Sequence, residues 1–373
     1  MQPLSELTHT LDSSVAQCRT APTMPYDIRA EIDWIDFSCT ANPLGVPARV
    51  RQAIGSAIAE GDLSFVPDAQ GSHLAAMLGR YYESSEGCFL AGTSTASMIR
   101  QVAQAFRTCD VAVTLPAPAD YLVALGNAGH NVIKLSNPFS LSAMDPSMAH
   151  AHDLRFSAAV LANPSYPSGR LLSEDILLKY LDECDWVIVD ESNINLTLGG
   201  DSFVGLVANH PNLFVLRSIS IDLGMPGIPL GYIVGNPETI AHLRHFSDGG
   251  ELGLFHEVVA RQLPRLFDYE QRTQELLDSE IPWMQCMLSL VVGVKVHPSE
   301  ANFVMCTLEE RAARDFGLSD AATLVLRLQK AGYSIRDLTG TPGVEGSRSF
   351  LVAVRSHEEN VAFLAALKEA MFD

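Results

Sequence analysis

Hydrophobic and polar positions follow two periods along this chain, and the switching between them lays out its elements. Residues 111–115, 158–162, 186–189 and 213–216 are short, nearly continuous apolar runs bounded by polar residues or proline, the pattern of buried strands. Residues 88–91 and 32–37 add shorter strands, and 132–135 one near an edge. Between them apolar residues recur at three- and four-residue spacing. Val50, Ala53, Ile54 and Ala57 fall on one face of a predicted helix over 47–60, with further helices at 74–82, 97–106 and 237–246. Residues 257–277 are predicted as one long helix joining two domains. Beyond it lie strands at 294–297, 301–306, 334–337 and 350–355 and helices at 319–331 and 358–371. Strand–helix alternation over 88–234 implies an α/β fold with a mainly parallel sheet covered by helices, followed by a small α+β C-terminal domain.

Length and charge narrow the functional classes. A chain of 373 residues can bury a full core and hold one large and one smaller domain. The expected division is 1–45 as an N-terminal arm and small-domain segment, 46–270 as the large domain and 271–373 as the small one. No apolar run is long enough to span a bilayer and the first residues lack a signal-peptide pattern, so a soluble protein is expected. A formal net charge of −19 argues against nucleic acid and anionic membranes. Seven scattered cysteines with no Cys-x-x-Cys pair fit reduced thiols in the cytoplasm. His150 and His152 read as surface loop residues. With His242 and His245 one helical turn apart, they show no third ligand, so no metal site is expected.

The candidate chemistry lies where the strands end. After 158–162 comes Asn163-Pro164-Ser165-Tyr166-Pro167-Ser168-Gly169. After 186–189 comes Asp190-Glu191-Ser192-Asn193. The stretch 216–232 contains Arg217-Ser218-Ile219-Ser220-Ile221 and Pro226-Gly227-Ile228-Pro229-Leu230-Gly231-Tyr232. Strand ends of this kind form the ligand crevice of an α/β sheet. Gly92-Thr93-Ser94-Thr95-Ala96-Ser97 opens a helix, where free amides make an anion site; an ordinary capped helix explains the same residues.

These motifs resemble the fold-type I aminotransferases that use pyridoxal phosphate (PLP), in particular histidinol-phosphate aminotransferases and threonine-phosphate decarboxylases. The resemblance covers the chain from about Asp36 onward and implies that family's architecture, with a homodimer and sites at the interface. It places the cofactor phosphate near Thr95, Ala96, Ser218 and Ser220. Asp190 falls where a carboxylate holds the pyridine nitrogen. Tyr166 and Asn193 stand in exchanged positions relative to the family's Asn and Tyr, which suggests a retained hydrogen-bonding pair. Asn42, in Asn42-Pro43-Leu44-Gly45, and Tyr121 and Arg355 are the implied substrate contacts.

The same comparison implies losses. The family's aldimine lysine falls on Ile221, its phosphate arginine on Pro229, its phosphate tyrosine on Val66, its stacking aromatic on Pro118 and its carboxylate arginine on Leu351. The chain's five lysines are Lys134, Lys179, Lys295, Lys330 and Lys368, and none lies in the crevice motifs. Transamination needs the lysine both as aldimine nitrogen and as proton carrier, so the standard reaction is not expected. Two classes stay open. One is a diverged enzyme whose old pocket holds PLP, pyridoxamine phosphate (PMP) or an amino-acid-like ligand noncovalently. The other is a catalytically dead homologue that binds a ligand or a partner.

Overall fold

The computed structural model describes residues 35–60, 64, 68, 71–136, 143–246 and 252–372. Most of the N-terminal arm and Val66 lie outside them. Thirteen strands are described in three sheets. They are β1 (Ile35–Asp36), β2 (Phe89–Gly92), β3 (Asp110–Leu115), β4 (Asn131–Ser136), β5 (Ala158–Ala162), β6 (Trp186–Asp190), β7 (Leu213–Ser218), β8 (Gly231–Val234), β9 (Val294–Val296), β10 (Phe303–Leu308), β11 (Tyr333–Ser334), β12 (Arg336–Asp337) and β13 (Ser349–Ala353).

The large sheet runs β2-β8-β7-β6-β5-β3-β4, with β4 at an edge as its position in the sequence implied. Only β8 is reversed, pairing antiparallel with both neighbours. The central strands are apolar on both faces because helices cover both. Val187 and Val189 feed one core and Ile188 the other, and Val215 and Phe214 divide in the same way. Registers Ala162↔Asp190 and Asp190↔Leu216 bring the ends of β5, β6 and β7 level. The three polar motifs therefore open on one crevice. A second, antiparallel sheet runs β12-β13-β10-β9, packed by the long helix Phe267–Ser289 and the last helix His357–Ala370.

Two expected elements are divided. The single long helix over 257–277 is two helices, Leu254–Ala260 and Phe267–Ser289, separated by a tight turn Leu263–Arg265. Pro264 sits in that turn, where it has no amide to donate to a continuing helix. The strand over 334–337 breaks at Ile335: β11 pairs with β1, and β12 pairs with β13. One run of residues thus ties the N-terminal strand to the C-terminal sheet.

Gly169 closes the approach between the two parts. Its φ is +70°, and a Cβ there would lie 1.8 Å from Ser299 Oγ. Its carbonyl accepts from the Glu300 amide at 2.9 Å. Only glycine permits both the left-handed backbone and the close contact.

Candidate functional site

The crevice is built on Asp190, the last residue of β6 and 9% exposed. One carboxylate oxygen accepts from the Ser192 amide at 2.9 Å and its hydroxyl at 2.5 Å. The other accepts from the Tyr121 hydroxyl. Thr95 Oγ1 lies 2.9 Å from Ser192 Oγ, so Thr95, Ser192, Asp190 and Tyr121 form one chain. Burial pushes the Asp190 carboxyl up, and the Ser192 and Tyr121 donors work against it. Burial and the facing carboxylate hold the Tyr121 phenol well above its ordinary range.

The turn after β7 is a short helix, Ile219–Asp222, capped by Ser218, whose Oγ accepts from the Ile221 amide at 3.3 Å. Ser218 and Ser220 are buried with their hydroxyls 3.2 Å apart. Ser220 Oγ also lies 3.4 Å from both the carbonyl and the amide of Leu230. Ile221 is half-buried and packs against the core beneath the C-terminal sheet. Pro229 is exposed just before β8, and its carbonyl lies 3.1 Å from His256 Nε2.

The helix Thr95–Gln104 opens with a reciprocal cap: Ser94 Oγ accepts from the Ser97 amide at 3.2 Å, and Ser97 Oγ from the Ser94 amide at 3.3 Å. This is ordinary capping. Ala96 lies in the same first turn.

Tyr166 and Asn193 point to different partners. The Tyr166 hydroxyl accepts from an Arg336 terminal nitrogen at 2.9 Å. Asn193 Nδ2 donates to the Thr40 carbonyl at 3.1 Å and reaches Asn302 Oδ1 at 3.5 Å. Asn42 is 5% exposed, and its side-chain amide donates to the Asp222 carbonyl at 2.9 Å and Thr273 Oγ1 at 2.8 Å. Its oxygen takes the Leu44 amide at 3.0 Å. Asn42 therefore fastens the 42–45 turn to the long helix. Arg355 pairs with Glu359 at 3.0 Å and donates to the Asp36 carbonyl at 3.2 Å.

Two features had no role assigned from the sequence. Arg336 lies directly across from Leu351 in the β12–β13 register, so a guanidinium faces the position where the resemblance expected the carboxylate arginine. Its Nε is buried without a hydrogen-bond partner among the described residues, as are those of Arg217 and Arg355. The cation at Arg336 in Ser334-Ile335-Arg336-Asp337 was visible, but the break at Ile335 that aligns it with Leu351 was not. The second feature is a buried ion pair behind the crevice. Arg217 Nη1 lies 3.3 Å from Glu191 Oε2, with side chains 3% and 0% exposed. Ser202 and Asn195 accept from Arg217 at 3.0 and 2.6 Å, and the Phe203 amide donates to Glu191 at 2.7 Å. Burial pushes the Glu191 carboxyl up while the guanidinium pulls it down.

Asp222 titrates in an unusual range. Burial raises its carboxyl to about 7, against Arg217 and Asn195, with Glu270 adding to the rise. Its folded value lies above its unfolded value. The stability it contributes is therefore full in acid and lost as pH rises from about 4 through about 7. Asp222→Asn should gain melting temperature relative to the parent chain as pH is raised across that window. A constant difference between the two melting curves would refute this assignment.

The donors present do not fit a lysine-held PLP. Ile221 has no amine, the Ser218 and Ser220 hydroxyls answer each other, and both Asp190 oxygens already accept internal donors. The fold, a large mixed sheet with a small antiparallel sheet beside it, is that of fold-type I aminotransferases. The chain belongs to the aminotransferase class I and II family, whose model matches residues 32–339. It is 25% identical to the threonine-phosphate decarboxylase of Salmonella typhimurium, over 90% of this chain and 91% of that one. It is 26% identical to the L-serine phosphate decarboxylase of Sulfurospirillum multivorans, over 100% and 92%. Histidinol-phosphate aminotransferase from Sinorhizobium meliloti, solved in complex with pyridoxal-5'-phosphate, superposes with a TM-score of 0.80 at 17% identity, covering 97% of this chain and 98% of that one. That family is PLP-dependent. No group of metal-ligating residues occurs among the described residues, and no described helix is long and apolar enough to cross a membrane.

Proposed function

We propose that this chain is an aminotransferase-family protein that runs no lysine-aldimine transamination and noncovalently binds an amino-acid-like anion bearing a phosphate or carboxylate. The observation that carries the reading is Arg336: its enclosed Nε lacks a partner while another guanidinium nitrogen holds Tyr166 at the domain junction. A buried donor without a partner is costly, and an anion would satisfy it. Two relatives are named for phosphorylated amino acids, which supports a ligand of that class. PMP is the cofactor-type occupant of the same reading, since it carries its own amine. The family supports a homodimer as the working assembly, which sedimentation of the purified chain tests.

Calorimetric titration of the purified chain with O-phospho-L-serine should show saturable binding. Removing a charge-assisted contact costs about 1.5–3 kcal/mol, so Arg336→Gln should weaken it roughly 10–100-fold. Circular dichroism confirms that the variant is folded. Absence of phosphoserine binding, or equal affinity in the folded variant, would sink the proposal.

A further inference from the structure

Beside the Ile219–Asp222 turn lies a cavity of about 490 Å³. That volume falls within the range of small-molecule sites. The helix Ser72–Tyr81, the turn at 194–200, and the start of the long helix wall it. Of the candidate site residues only Asn42 lines it; Asp190, Ser218, Ser220, Ile221, Tyr166 and Arg336 do not.

Its lining is acidic and aromatic. Asp222 and Glu270 face it with Tyr81, Tyr82, Tyr232 and Tyr269, and among the described residues no lysine or arginine does. Three of the four phenol groups are engaged elsewhere: Tyr82 and Tyr232 bond to each other at 2.7 Å, and Tyr269 donates to the Gly45 carbonyl at 2.7 Å. Asp222 has one described side-chain donor, Asn195 Nδ2 at 2.9 Å. Glu270 is exposed; its carboxylate makes no hydrogen bond or ion pair to a described residue, and the Arg217 guanidinium acts on it through space. Arg217, the cation behind this wall, pairs with Glu191 and also pulls the Asp222 and Glu270 carboxyls down. What the cavity offers a ligand is therefore carboxylate charge and aromatic surface.

We propose that this cavity binds a small alkylammonium ligand, with Asp222 and Glu270 as counter-ions and the tyrosine rings as its sides. Carboxylates neutralise the ammonium, and aromatic faces attract a cation while covering its alkyl part. The site is independent of the anion proposed at Arg336.

The probe is butane-1,4-diamine, titrated into the full chain by calorimetry with sodium chloride as the ionic control. Saturable binding is expected at about pH 8, weakening at about pH 6 as Asp222 takes up a proton. The groups acting on Asp222 are Arg217, Asn195 and Glu270, and Tyr81, Tyr232 and Tyr269 stand close enough to interact with it. Asp222→Asn and Glu270→Gln should each weaken diamine binding at least about tenfold and leave phosphoserine binding unchanged. Arg336→Gln should do the reverse. Failure of the folded parent chain to bind the diamine at about pH 8 would overturn the proposal. So would binding indifferent to both carboxylate variants, or lost only with Arg336→Gln.

Discussion

Replacing Ile221 with lysine and Pro229 with arginine is expected to convert a chain that gives no coloured complex with PLP into one that turns yellow and is bleached by borohydride. Ile221 lies in a capped turn, half-buried beside the strand-end crevice. An amine enclosed there has its pKa lowered by desolvation, which favours the neutral nucleophile that forms an aldimine. Asp190 stands at the end of β6, where the resemblance puts the pyridinium partner, with Ser192 and Tyr121 donating to its two oxygens. The arginine adds a bidentate phosphate contact worth about 1.5–3 kcal/mol, or roughly 10–100-fold in retention. Pro229 is exposed and precedes β8, so its replacement removes no buried side chain. The parent chain, treated identically, should carry no reduced PLP on any residue of this crevice. A folded double variant that stays colourless would mean that the Asp190–Tyr121 arrangement has closed the ring site. Labelling of the parent chain would refute the reading of Ile221.

Breaking the Arg217–Glu191 pair is expected to be the most damaging single change to stability. Glu191→Ala leaves a guanidinium only 3% exposed without its counter-ion and strips the Ser202 hydroxyl and Phe203 amide of their acceptor. Uncompensated buried charge of this kind costs about 3–5 kcal/mol. For a cooperative unit of this size that lowers the melting temperature by roughly 5–10 °C. Glu191→Met combined with Arg217→Met should recover part of the loss, because the desolvated charge is then gone as well. Melting curves of the two variants and the parent decide it; a Glu191→Ala melt within about 2 °C of the parent would contradict the pair's structural role.

Much of the fold was legible in residue order. Apolar runs bounded by polar residues or proline identified β3, β5, β6 and β7, because strands buried on both faces need no alternation to be recognised. The Asn163–Gly169 motif and Asp190 were placed correctly at strand ends, and Gly169 proved to need its lack of a side chain against Ser299. The absence of lysine between Lys179 and Lys295 is likewise a property of the sequence alone. It restricts the chemistry whatever the fold.

Tertiary structure decided which polar groups remain available, since a residue list does not say who satisfies whom. Asn42 and Arg355 looked like substrate contacts; Asn42 is consumed by Asp222, Thr273 and Leu44, while Arg355 is tied to Glu359 and Asp36 but keeps an Nε that, like that of Arg336, has no partner among the described residues. The Tyr166 and Asn193 exchange looked like one retained pair, but the hydroxyl meets Arg336 and the amide meets Thr40. Those partners are 170 and 153 residues away in sequence, beyond any local pattern. The long helix was misjudged for a local reason, Pro264, whereas the rise of Arg336 to prominence came from strand register across β12 and β13. Periodicity reports which face of an element is buried. Which side chains meet inside that burial depends on how separate elements pack, and here that packing left the Arg336 Nε enclosed without a partner among the described residues.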